Sequence, residues 1–384
     1  MKPKNLCFLF LFFVSTITKA GFLLLPMDET SQQNHLKAYG ITYWCLDKNY
    51  KASWLLNYRG GSFLLPDAPE IRKECQIRGV SFEVVSDSEE AELLNLIASP
   101  SQNMESVLLE KAPKIAVYTP KGKQPWDDAV TLVLTYAEIP FTAVYDEEVL
   151  SDQLLLYDWL HLHHEDFTGQ YGKFYGTYKN TPWYIEQKKE AELLAKKLGF
   201  AKVSDEKGAV AQKISHFVIG GAFMFAMCSA TDSFDIALAA QGIDICETMF
   251  DGDASSPNYQ AQLDYSKSFA FKNFTLERRP EQYEFSNIDM TGRRKIPMEK
   301  DYFTLMEFSA KWDPIPSMLC QNHTQLIKGF MGQTTAFDAE LVKTNILLLG
   351  SCELNGEARY IHGQKGKGMF TFYGGHDPED FQHQ

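Results

Sequence analysis

Short apolar runs alternate with segments of helical length between residues 114 and 245. Four of the runs have the length and the β-branched and aromatic content of strands. They are KIAVYT (114–119), FTAVYD (141–146), YDWLHLH (157–163) and AFMFAM (222–227). The segments around them predict helices at 125–138, 184–198, 205–219 and 232–240. Because parallel strands need a long crossover between them, usually a helix, this alternation predicts βαβ units, a parallel sheet and right-handed crossovers.

Residues 21–111 predict a separate, compact α/β lobe with its own strand and helix signals. The predicted strands lie at 22–25, in two parts within 53–65, and at 80–85, and the predicted helices lie at 32–46, 68–78 and 87–98. Gly60-Gly61 predicts the turn that divides 53–65 into two strands. A boundary near Ala112-Pro113 starts the second domain, which we expect to cover residues 112–384.

Residues from about 250 to 340 interrupt the alternating pattern. Aromatic-rich segments lie there between Pro and Gly turns, which predicts an antiparallel insertion or a lid. The parallel pattern is expected to return at TNILLLGS (344–351) and RYIHG (359–363). GMFTFYGG (368–375) is then the last strand, and it leads into a glycine loop.

The first twenty residues have the three parts of a secretory signal peptide. Lys2 and Lys4 give a positive start, Leu6 to Val14 is an apolar run, and small residues up to Ala20 precede Gly21. The apolar run is too short for a helix that spans a bilayer. We therefore expect cleavage after Ala20 and export to the periplasm or beyond, with a buried N-terminal strand as the alternative.

The chain is acidic, with 37 Lys and Arg against 50 Asp and Glu and a formal charge of -13. Such a charge argues against nucleic acid and anionic membranes as partners, because both attract basic surfaces. Seven cysteines are present, and Cys7 belongs to the predicted signal peptide. The other six contain no CxxC pair, so the sequence supports neither a zinc ribbon nor a thioredoxin-like site, and six cysteines in a chain this long do not make a disulfide scaffold.

The segment GGAFMFAMCSATDSFDIALAA (220–240) runs from an apolar strand directly into Cys228. Ser229, Thr231 and Asp232 then start a helix. A sharp strand-to-helix turn exposes its central side chain at the carboxyl edge of the sheet, and helix-start amides lower a thiol pKa and bind an oxyanion. The segment predicts a nucleophilic Cys228 with Ser229 as oxyanion donor. A buried, inert cysteine is the alternative.

The final loop, YGGHDPED (373–380), follows the last predicted strand. His376 is a candidate base for the thiol, and Glu379, or as a second choice Asp377, would orient its ring. A solvated polar tail is the alternative. The thiol, the imidazole and the acid would together form a catalytic Cys-His-acid set at one edge of the parallel sheet.

A third polar segment, HLHHEDFTG (161–169), ends the predicted strand at 157–163. We expect its side chains to line the substrate or to support the oxyanion, and they are His163, His164, Glu165 and Asp166. Two alternatives stay open. One is a zinc or iron site, because histidines and carboxylates are common ligands of these metals, and the other is a purely structural cluster. The HxHHED spacing matches no known metal motif, so no metal or other cofactor is assigned.

Seven stretches that span nearly the whole chain after residue 20 resemble a family of exported Bacteroidetes proteins commonly named asparagine synthetase B. They are LLPMDE (24–29), HLKAYGITYW (35–44), WLLNYRGGSFLLPD (54–67), KQPWDDAVTL (123–132), YDWLHLHHEDFTGQYGKFY (157–175), FAMCSATDSFDIALAAQGIDI (225–245) and FTFYGGHDPEDF (370–381). The family name implies a glutamine-hydrolysing asparagine synthetase. Such enzymes use a cysteine directly after the initiator methionine and an SGGxDS pyrophosphate loop, whereas here Lys2 follows Met1 and no SGGxDS string occurs.

The strand-Cys228-helix segment and the late His376 and Glu379 also resemble the class I glutamine amidotransferases and their ThuA-like relatives. This resemblance implies a flavodoxin-like parallel sheet with flanking helices, to which the N-terminal lobe and the antiparallel insertion would be additions. It also implies an amidase or glutaminase that acts on a small-molecule or peptide amide. A non-catalytic envelope binding or assembly protein, a metal-dependent hydrolase and an asparagine synthetase remain as alternatives, and the oligomeric state is open.

Overall fold

The computed structural model describes residues 21–120, 129–294, 296–312, 319, 325–352 and 354–376. The predicted signal peptide, the start of the helix predicted at 125–138, Asp377 and Glu379 lie outside these ranges. Within them, no helix is both long enough and apolar enough to cross a membrane.

The strands of the described ranges fall into two sheets. In chain order they are β1 (Phe22–Leu25), β2 (Ala52–Leu56), β3 (Ser62–Pro66), β4 (Glu83–Val85), β5 (Glu105–Leu109), β6 (Ile115–Tyr118), β7 (Thr142–Val144), β8 (Trp159–Leu162), β9 (Phe223–Met227), β10 (Tyr302–Leu305), β11 (Leu326–Lys328), β12 (Leu347–Ser351), β13 (Ala358–Lys365) and β14 (Gly368–Tyr373). Each strand signal of the sequence analysis coincides with one of them, apart from end residues.

The helices of the described ranges lie between and around these strands. They are α1 (His35–Asp47), α2 (Pro69–Arg78), α3 (Asp87–Ala98), α4 (Ala129–Ala137), α5 (Asp146–Leu150), α6 (Tyr175–Tyr178), α7 (Pro182–Lys197), α8 (Val203–Ile219), α9 (Ser229–Ala239), α10 (Thr248–Asp251) and α11 (Tyr259–Gln262). Local signals explain several of their ends. Pro182 occupies the first turn of α7, and a capping box between Ser86 and Glu89 starts α3.

The first sheet is antiparallel throughout and has the strand order β4-β1-β3-β2-β5. Helices cover both of its faces. Leu23 and Leu25 pack in one core with residues of α1 and α2, whereas Leu24 packs in another with Ile97 of α3. Because successive side chains of a strand point to opposite faces, this double burial explains why the FLLL run is apolar at every position.

The second sheet is mixed and has the order β11-β10-β12-β13-β14-β9-β8-β6-β7. Its parallel half consists of β7, β6, β8, β9 and β14. Helices α4, α5, α7 and α8 lie in the crossovers between the first four of these strands, as the alternating sequence pattern predicts. The fold is therefore a mixed α/β architecture, and the parallel strands all present their carboxyl ends at one edge.

The parallel arrangement predicted for 344–351 and 359–363 is wrong. Strand β12 pairs antiparallel with β13, and β13 pairs antiparallel with β14. The connections explain the error, because β12 and β13 are separated by a few residues and β13 and β14 by Gly366 and Lys367 only. Such short turns join antiparallel neighbours, whereas parallel neighbours need a crossover of about a dozen residues or more.

The stretch from 250 to 340 contributes both strands and core. Strands β10 and β11 pair antiparallel at the far edge of the second sheet, in agreement with an antiparallel insertion. The aromatic segment before them is buried, because Phe271, Phe274 and Phe285 belong to the main hydrophobic core together with residues of α8 and α9. These aromatic residues therefore act as core and do not form a lid.

Candidate active site

Cys228 stands in a sharp turn between the buried strand β9 and helix α9. Its backbone has φ 52° and ψ -139°, in the left-handed half of the conformational map that side chains rarely adopt. Two hydrogen bonds hold the turn: the Cys228 amide donates to the Tyr373 carbonyl at 3.1 Å, and the Thr231 hydroxyl donates to the Cys228 carbonyl at 2.6 Å. A strained residue that is held by its surroundings in this way is common at functional sites.

The thiol of Cys228 is buried, with 1% of the residue exposed. Its surroundings are polar, since Sγ donates a hydrogen bond to the Gln333 carbonyl at 2.7 Å. Burial raises the pKa of the thiol, against the opposing effect of a hydrogen bond from the backbone of Ser229. The thiol at rest is therefore protonated, and a nearby base is needed to make it a nucleophile.

His376 follows β14 after two glycines and lies over the same edge of the sheet. Gly375 has φ 77°, and its amide donates to the Thr334 carbonyl at 3.1 Å. The next amide, that of His376, donates to the Met331 carbonyl at 2.9 Å. The glycines thus turn the chain away from the strand and place His376 against residues 329–335, which we name the cover loop.

The thiol and the imidazole converge on one glycine of the cover loop. A Cβ on Gly332 would lie 2.9 Å from Nε2 of His376 and 3.2 Å from Sγ of Cys228. Both reactive atoms therefore face the same small space, and only a residue without a side chain fits between them. The structure thus brings Cys228 and His376 together, as a shared carboxyl edge of parallel strands leads one to expect.

The segment after β8 forms a second wall of this space, and we name residues 163–169 the histidine loop. The Ser229 hydroxyl donates to the His164 carbonyl at 2.7 Å, which ties the loop to the start of α9. The His376 ring lies 4.7 Å from the His163 ring and 5.4 Å from the His164 ring, between centroids. Three histidines from two segments of the chain therefore meet, and one of them, His376, faces the same space as the thiol.

Glu165 and Asp166 shape the histidine loop. The Glu165 carboxylate accepts a hydrogen bond from the His163 amide at 3.0 Å. The Asp166 carboxylate accepts bonds from the amides of Thr168 at 2.6 Å and Gly172 at 2.9 Å. These bonds give both carboxylates a clear role in loop conformation, and as acceptors they do not donate to an oxyanion.

A cavity of about 950 Å³ opens at the carboxyl ends of β6, β7 and β8. His164, Glu165 and Asp166 line it on the side of the histidine loop, and Phe174 and Trp183 line it elsewhere. It lies where the strand order reverses between β6 and β8, which is the usual ligand position of an open parallel sheet. The histidine loop is therefore shared between the cavity and the space in front of Cys228.

An ionic network borders this cavity around Lys207, which lies in the first turns of α8. Its ammonium group donates to Asp146 at 2.7 Å and to the Tyr118 hydroxyl at 3.0 Å. Burial alone would lower the pKa of Lys207, but the combined charges of Asp146, Tyr145 and Glu206 outweigh burial and raise it. Burial raises the pKa of the adjacent Glu206 to about 8, against the opposing charge of Lys207.

Sequence patterns predicted neither the cover loop nor a role at the site for the carboxyl groups beneath it. The Thr334 hydroxyl donates to Asp232 at 3.0 Å, and the Thr334 amide donates to Asp289 at 3.2 Å. Burial raises the pKa of Asp232 well above its usual range, with a further contribution from Asp289. The only sequence signal was GFMGQTT (329–335), a polar, glycine-containing string within an aromatic region.

Among the residues that the structure describes, two groups of side chains have the donor atoms of a metal site. In the first, one ring nitrogen from each of His163, His164 and His376 lies within 4.8 Å of the others. The second comprises Asp244, Cys246 and Asp251. The Lys202 ammonium already pairs with the two carboxylates of the second group, at 2.5 and 3.0 Å, so a cationic side chain occupies it.

No protein-family model and no curated protein matches this sequence. Solved structures with a distant likeness include two Salmonella typhimurium proteins described as cytoplasmic proteins. One is 12% identical over 70% of this chain and 93% of its own, with a TM-score of 0.34. The other is 9% identical over 68% and 87%, with a TM-score of 0.33. A β-galactosidase from Bacillus circulans sp. alkalophilus is 10% identical over 70% of this chain and 29% of its own, with a TM-score of 0.27. Scores this low carry no argument about this chain.

Proposed function

We propose that this chain is an amidotransferase-like cysteine hydrolase that cleaves the C–N bond of a small-molecule or peptide amide. Cys228 is the nucleophile and His376 is the base. The observation that carries the proposal is the convergence of Cys228 Sγ and His376 Nε2 on Gly332, at a strained strand-to-helix turn. A thiol beside an imidazole at a helix start is the arrangement that activates a cysteine.

The strand order supports an amidotransferase-like fold. Numbered along the chain from β6, the parallel strands lie in the order second, first, third, fourth and fifth. This is the order of the flavodoxin-like sheet, which the class I glutamine amidotransferases share. The proposed nucleophile then follows the fourth strand and the proposed base follows the fifth, so neighbouring strands deliver the two groups.

The reaction follows from the positions of these groups. His376 Nε2 takes the thiol proton while Cys228 Sγ forms a bond to the carbonyl carbon, and the carbonyl oxygen gains a negative charge. The Ser229 amide at the start of α9 stabilises that charge. The C–N bond then breaks, and the leaving nitrogen takes the proton from His376. Water, activated by the same imidazole, hydrolyses the thioester and returns a proton to sulfur.

The predicted orienting acid, Glu379, stays a prediction because it lies outside the described residues. The cavity beside the histidine loop is the proposed route to the thiol, since it shares His164 with the space in front of Cys228. We also propose, from the first twenty residues, that the chain acts outside the cytoplasm. A mature N-terminus at Gly21 after cell fractionation would support this location, and an uncleaved cytoplasmic chain would contradict it.

Alkylation with iodoacetamide tests the activation of the thiol. Cys45 and Cys75 are matched controls within the same chain, because both are fully buried. We expect native Cys228 to react at least about 10-fold faster than either control, and His376→Ala to remove the difference. Peptide mass spectrometry measures the three rates. Equal rates at the three cysteines, unaffected by His376→Ala, would rule out the dyad.

An ammonia-release assay tests the reaction. Glutamine, asparagine and short peptide amides are supplied with and without ATP and aspartate. Release that depends on Cys228 and needs no ATP supports the hydrolase. Asparagine formation that requires ATP and aspartate would support a synthetase instead.

A non-catalytic binding protein is the second candidate, because one observation favours it. The Cys228 thiol donates a hydrogen bond to the Gln333 carbonyl of the cover loop, a contact that is typical of a cysteine with a structural role. In that case, the full chain would be stabilised by a ligand of the cavity, Cys228→Ala would leave the stabilisation unchanged, and no ammonia would be released.

A further inference from the structure

Three imidazoles that come from two separate segments occupy one small volume. His163 and His164 are neighbours in the chain, yet their ring centroids lie only 4.2 Å apart. Successive residues of a strand point to opposite faces, so this approach depends on both residues lying past the end of β8. His376 comes from the end of β14 and completes the group, in which three ring nitrogens lie within 4.8 Å of one another.

Main-chain hydrogen bonds hold all three residues in place. The His163 amide donates to Glu165 at 3.0 Å, the His164 carbonyl accepts from Ser229 at 2.7 Å, and the His376 amide donates to Met331 at 2.9 Å. The side chains therefore need only ring rotation to adjust. Two imidazole nitrogens on one tetrahedral zinc ion are roughly 3.3 Å apart, so even the widest pair has to close by only roughly 1.5 Å.

The exposure of the three rings leaves one side of the group open. His163 is buried, His376 is half-buried and His164 is exposed. Three histidines with a fourth position open to water form the ligand set of several catalytic and regulatory zinc sites. Neutral imidazoles also suit copper, nickel and iron, whereas magnesium and calcium prefer oxygen ligands.

We propose that His163, His164 and His376 bind a divalent transition-metal ion of the zinc class, with a water molecule as the fourth ligand. The site itself does not depend on the proposed hydrolase activity. One consequence does depend on it: a neutral His376 that binds the metal through one ring nitrogen carries its proton on the other, so it cannot accept the proton of Cys228. The metal-bound chain is then an inhibited form of the enzyme, and removal of the metal releases the base.

Metal titration of the full chain, stripped with a chelator, tests the site directly. Co²⁺ is the spectroscopic probe, since its visible absorption reports tetrahedral coordination, and Zn²⁺ is the competitor. We expect one Co²⁺ per chain, displaced by Zn²⁺ and not by Mg²⁺. His164→Ala is the decisive variant because His164 is exposed and its loss leaves the core intact. It should weaken Zn²⁺ binding by at least about 10-fold.

His216→Ala, at an exposed histidine on α8, is the matched control and should bind Zn²⁺ like the unmodified chain. Circular dichroism verifies that both variants keep their fold. Zn²⁺ affinity that His164→Ala and His376→Ala both leave unchanged would overturn the site, as would the absence of Zn²⁺ binding to the unmodified chain.

The rate of Cys228 alkylation tests the inhibited form. One equivalent of Zn²⁺ should slow alkylation by at least about 10-fold in the unmodified chain, and far less in His164→Ala. An unchanged rate with Zn²⁺ bound would overturn the inhibition. A chain that binds Zn²⁺ through the three histidines but releases no ammonia after the metal has been removed would refute the hydrolase alone, so the two proposals fail separately.

Discussion

Buried cysteines distinguish two regions of this molecule. Cys45 and Cys75 lie in the core of the antiparallel sheet, among apolar side chains, whereas Cys228 lies at the carboxyl edge of the parallel strands. Burial raises the thiol pKa in all three cases, to about 12 for Cys45 and about 11 for Cys75. Burial and pKa therefore do not separate a structural cysteine from a candidate nucleophile. Backbone strain and polar neighbours do, because only Cys228 of the three combines a positive φ with a carbonyl and an imidazole close to sulfur.

Two carboxyl groups, one from each region, have pKa values shifted in opposite directions. In the first region a hydrogen bond from Arg72 lowers the pKa of the half-buried Asp67. Near the cavity, burial raises the pKa of Glu206 to about 8. Asp67 therefore stabilises the fold when it is charged, whereas Glu206 destabilises the fold when it is charged. Such destabilising groups are concentrated where binding and catalysis occur in many proteins.

Replacing the cysteines gives the largest expected contrast between the regions. Cys228→Ala should lower the rate of amide cleavage by at least about 1,000-fold, because it removes the nucleophile. Cys75→Ala should leave the rate unchanged and lower the free energy of unfolding by about 1 kcal/mol, because it leaves a small void in a packed core. Ammonia release and urea unfolding measure the two effects. Equal activity in the two variants would remove the functional difference between the regions.

Gly332→Ala should lower the rate of Cys228 alkylation by at least about 10-fold. The added Cβ would lie 2.5 Å from Cδ2 of His376, so the ring must move away from the thiol. Gly242→Ala is the matched control, because Gly242 also has a positive φ, 79°, and has no atom near the added Cβ. Both variants should lose stability from backbone strain, and Gly332→Ala should lose more because its added Cβ also meets the His376 ring. If the rate of Cys228 alkylation falls equally in both variants, the position of His376 does not affect the reactivity of the thiol.

The acids predict pH dependences of opposite sign in the two regions. Glu206 has a raised pKa, so the folded chain binds its proton more tightly than the unfolded chain does. The resulting stability is present at low pH and is lost as pH rises towards about 8. In the unmodified chain, the free energy of unfolding should fall by about 1–3 kcal/mol between about pH 6 and about pH 9. Glu206→Gln should remove this fall.

Asp67→Asn is the control for that prediction. The lowered pKa of Asp67 provides stability at neutral pH that disappears as pH falls below the usual range of an aspartate. In this variant, the free energy of unfolding should therefore fall less at acid pH than in the unmodified chain. The difference should be less than about 1 kcal/mol, because the pair of Asp67 and Arg72 is partly exposed. Urea unfolding over a pH series measures both profiles, and a Glu206→Gln profile identical to that of the unmodified chain would contradict the assigned shift.

The smallest expected effect is the change in stability when Cys228 or Cys75 is replaced by glycine rather than by alanine, and its sign should be opposite at the two positions. Cys228→Gly should be more stable than Cys228→Ala by about 1 kcal/mol, because glycine adopts the positive φ of this turn without strain. Cys75 lies inside helix α2, where glycine costs about 1 kcal/mol relative to alanine. Thermal or urea unfolding of the four variants checks the comparison. A glycine penalty of the same sign at both positions would mean that the Cys228 turn is not strained.

Local patterns predicted most elements of the fold. The helices and strands around 114–245 and in residues 21–111 follow from apolar periodicity, turn residues and caps, which act over a few residues. Strand pairing was harder to predict. The apolar runs of β12 and β13 are equally compatible with parallel and antiparallel neighbours, and the lengths of the connections were decisive.

The candidate site also has one part that local sequence predicts and one part that it does not predict. The turn at Cys228 is encoded locally, in a strand followed at once by small and polar helix-start residues. Gly332 and Gln333 carry no comparable local signal, although they contact or border the thiol from more than a hundred residues away. Their role depends on a long-range fit that no window of sequence contains.

By itself, the sequence determined that this chain builds an α/β fold with a strand leading into Cys228 and polar segments following two other strands, because such features depend on neighbouring residues. Only the tertiary structure decided that His163, His164 and His376 share one small volume and that the thiol lies beneath the cover loop. Each of these depends on atoms distant in the chain that come within a few ångströms after packing. Such contacts are fixed by the shape of the whole molecule.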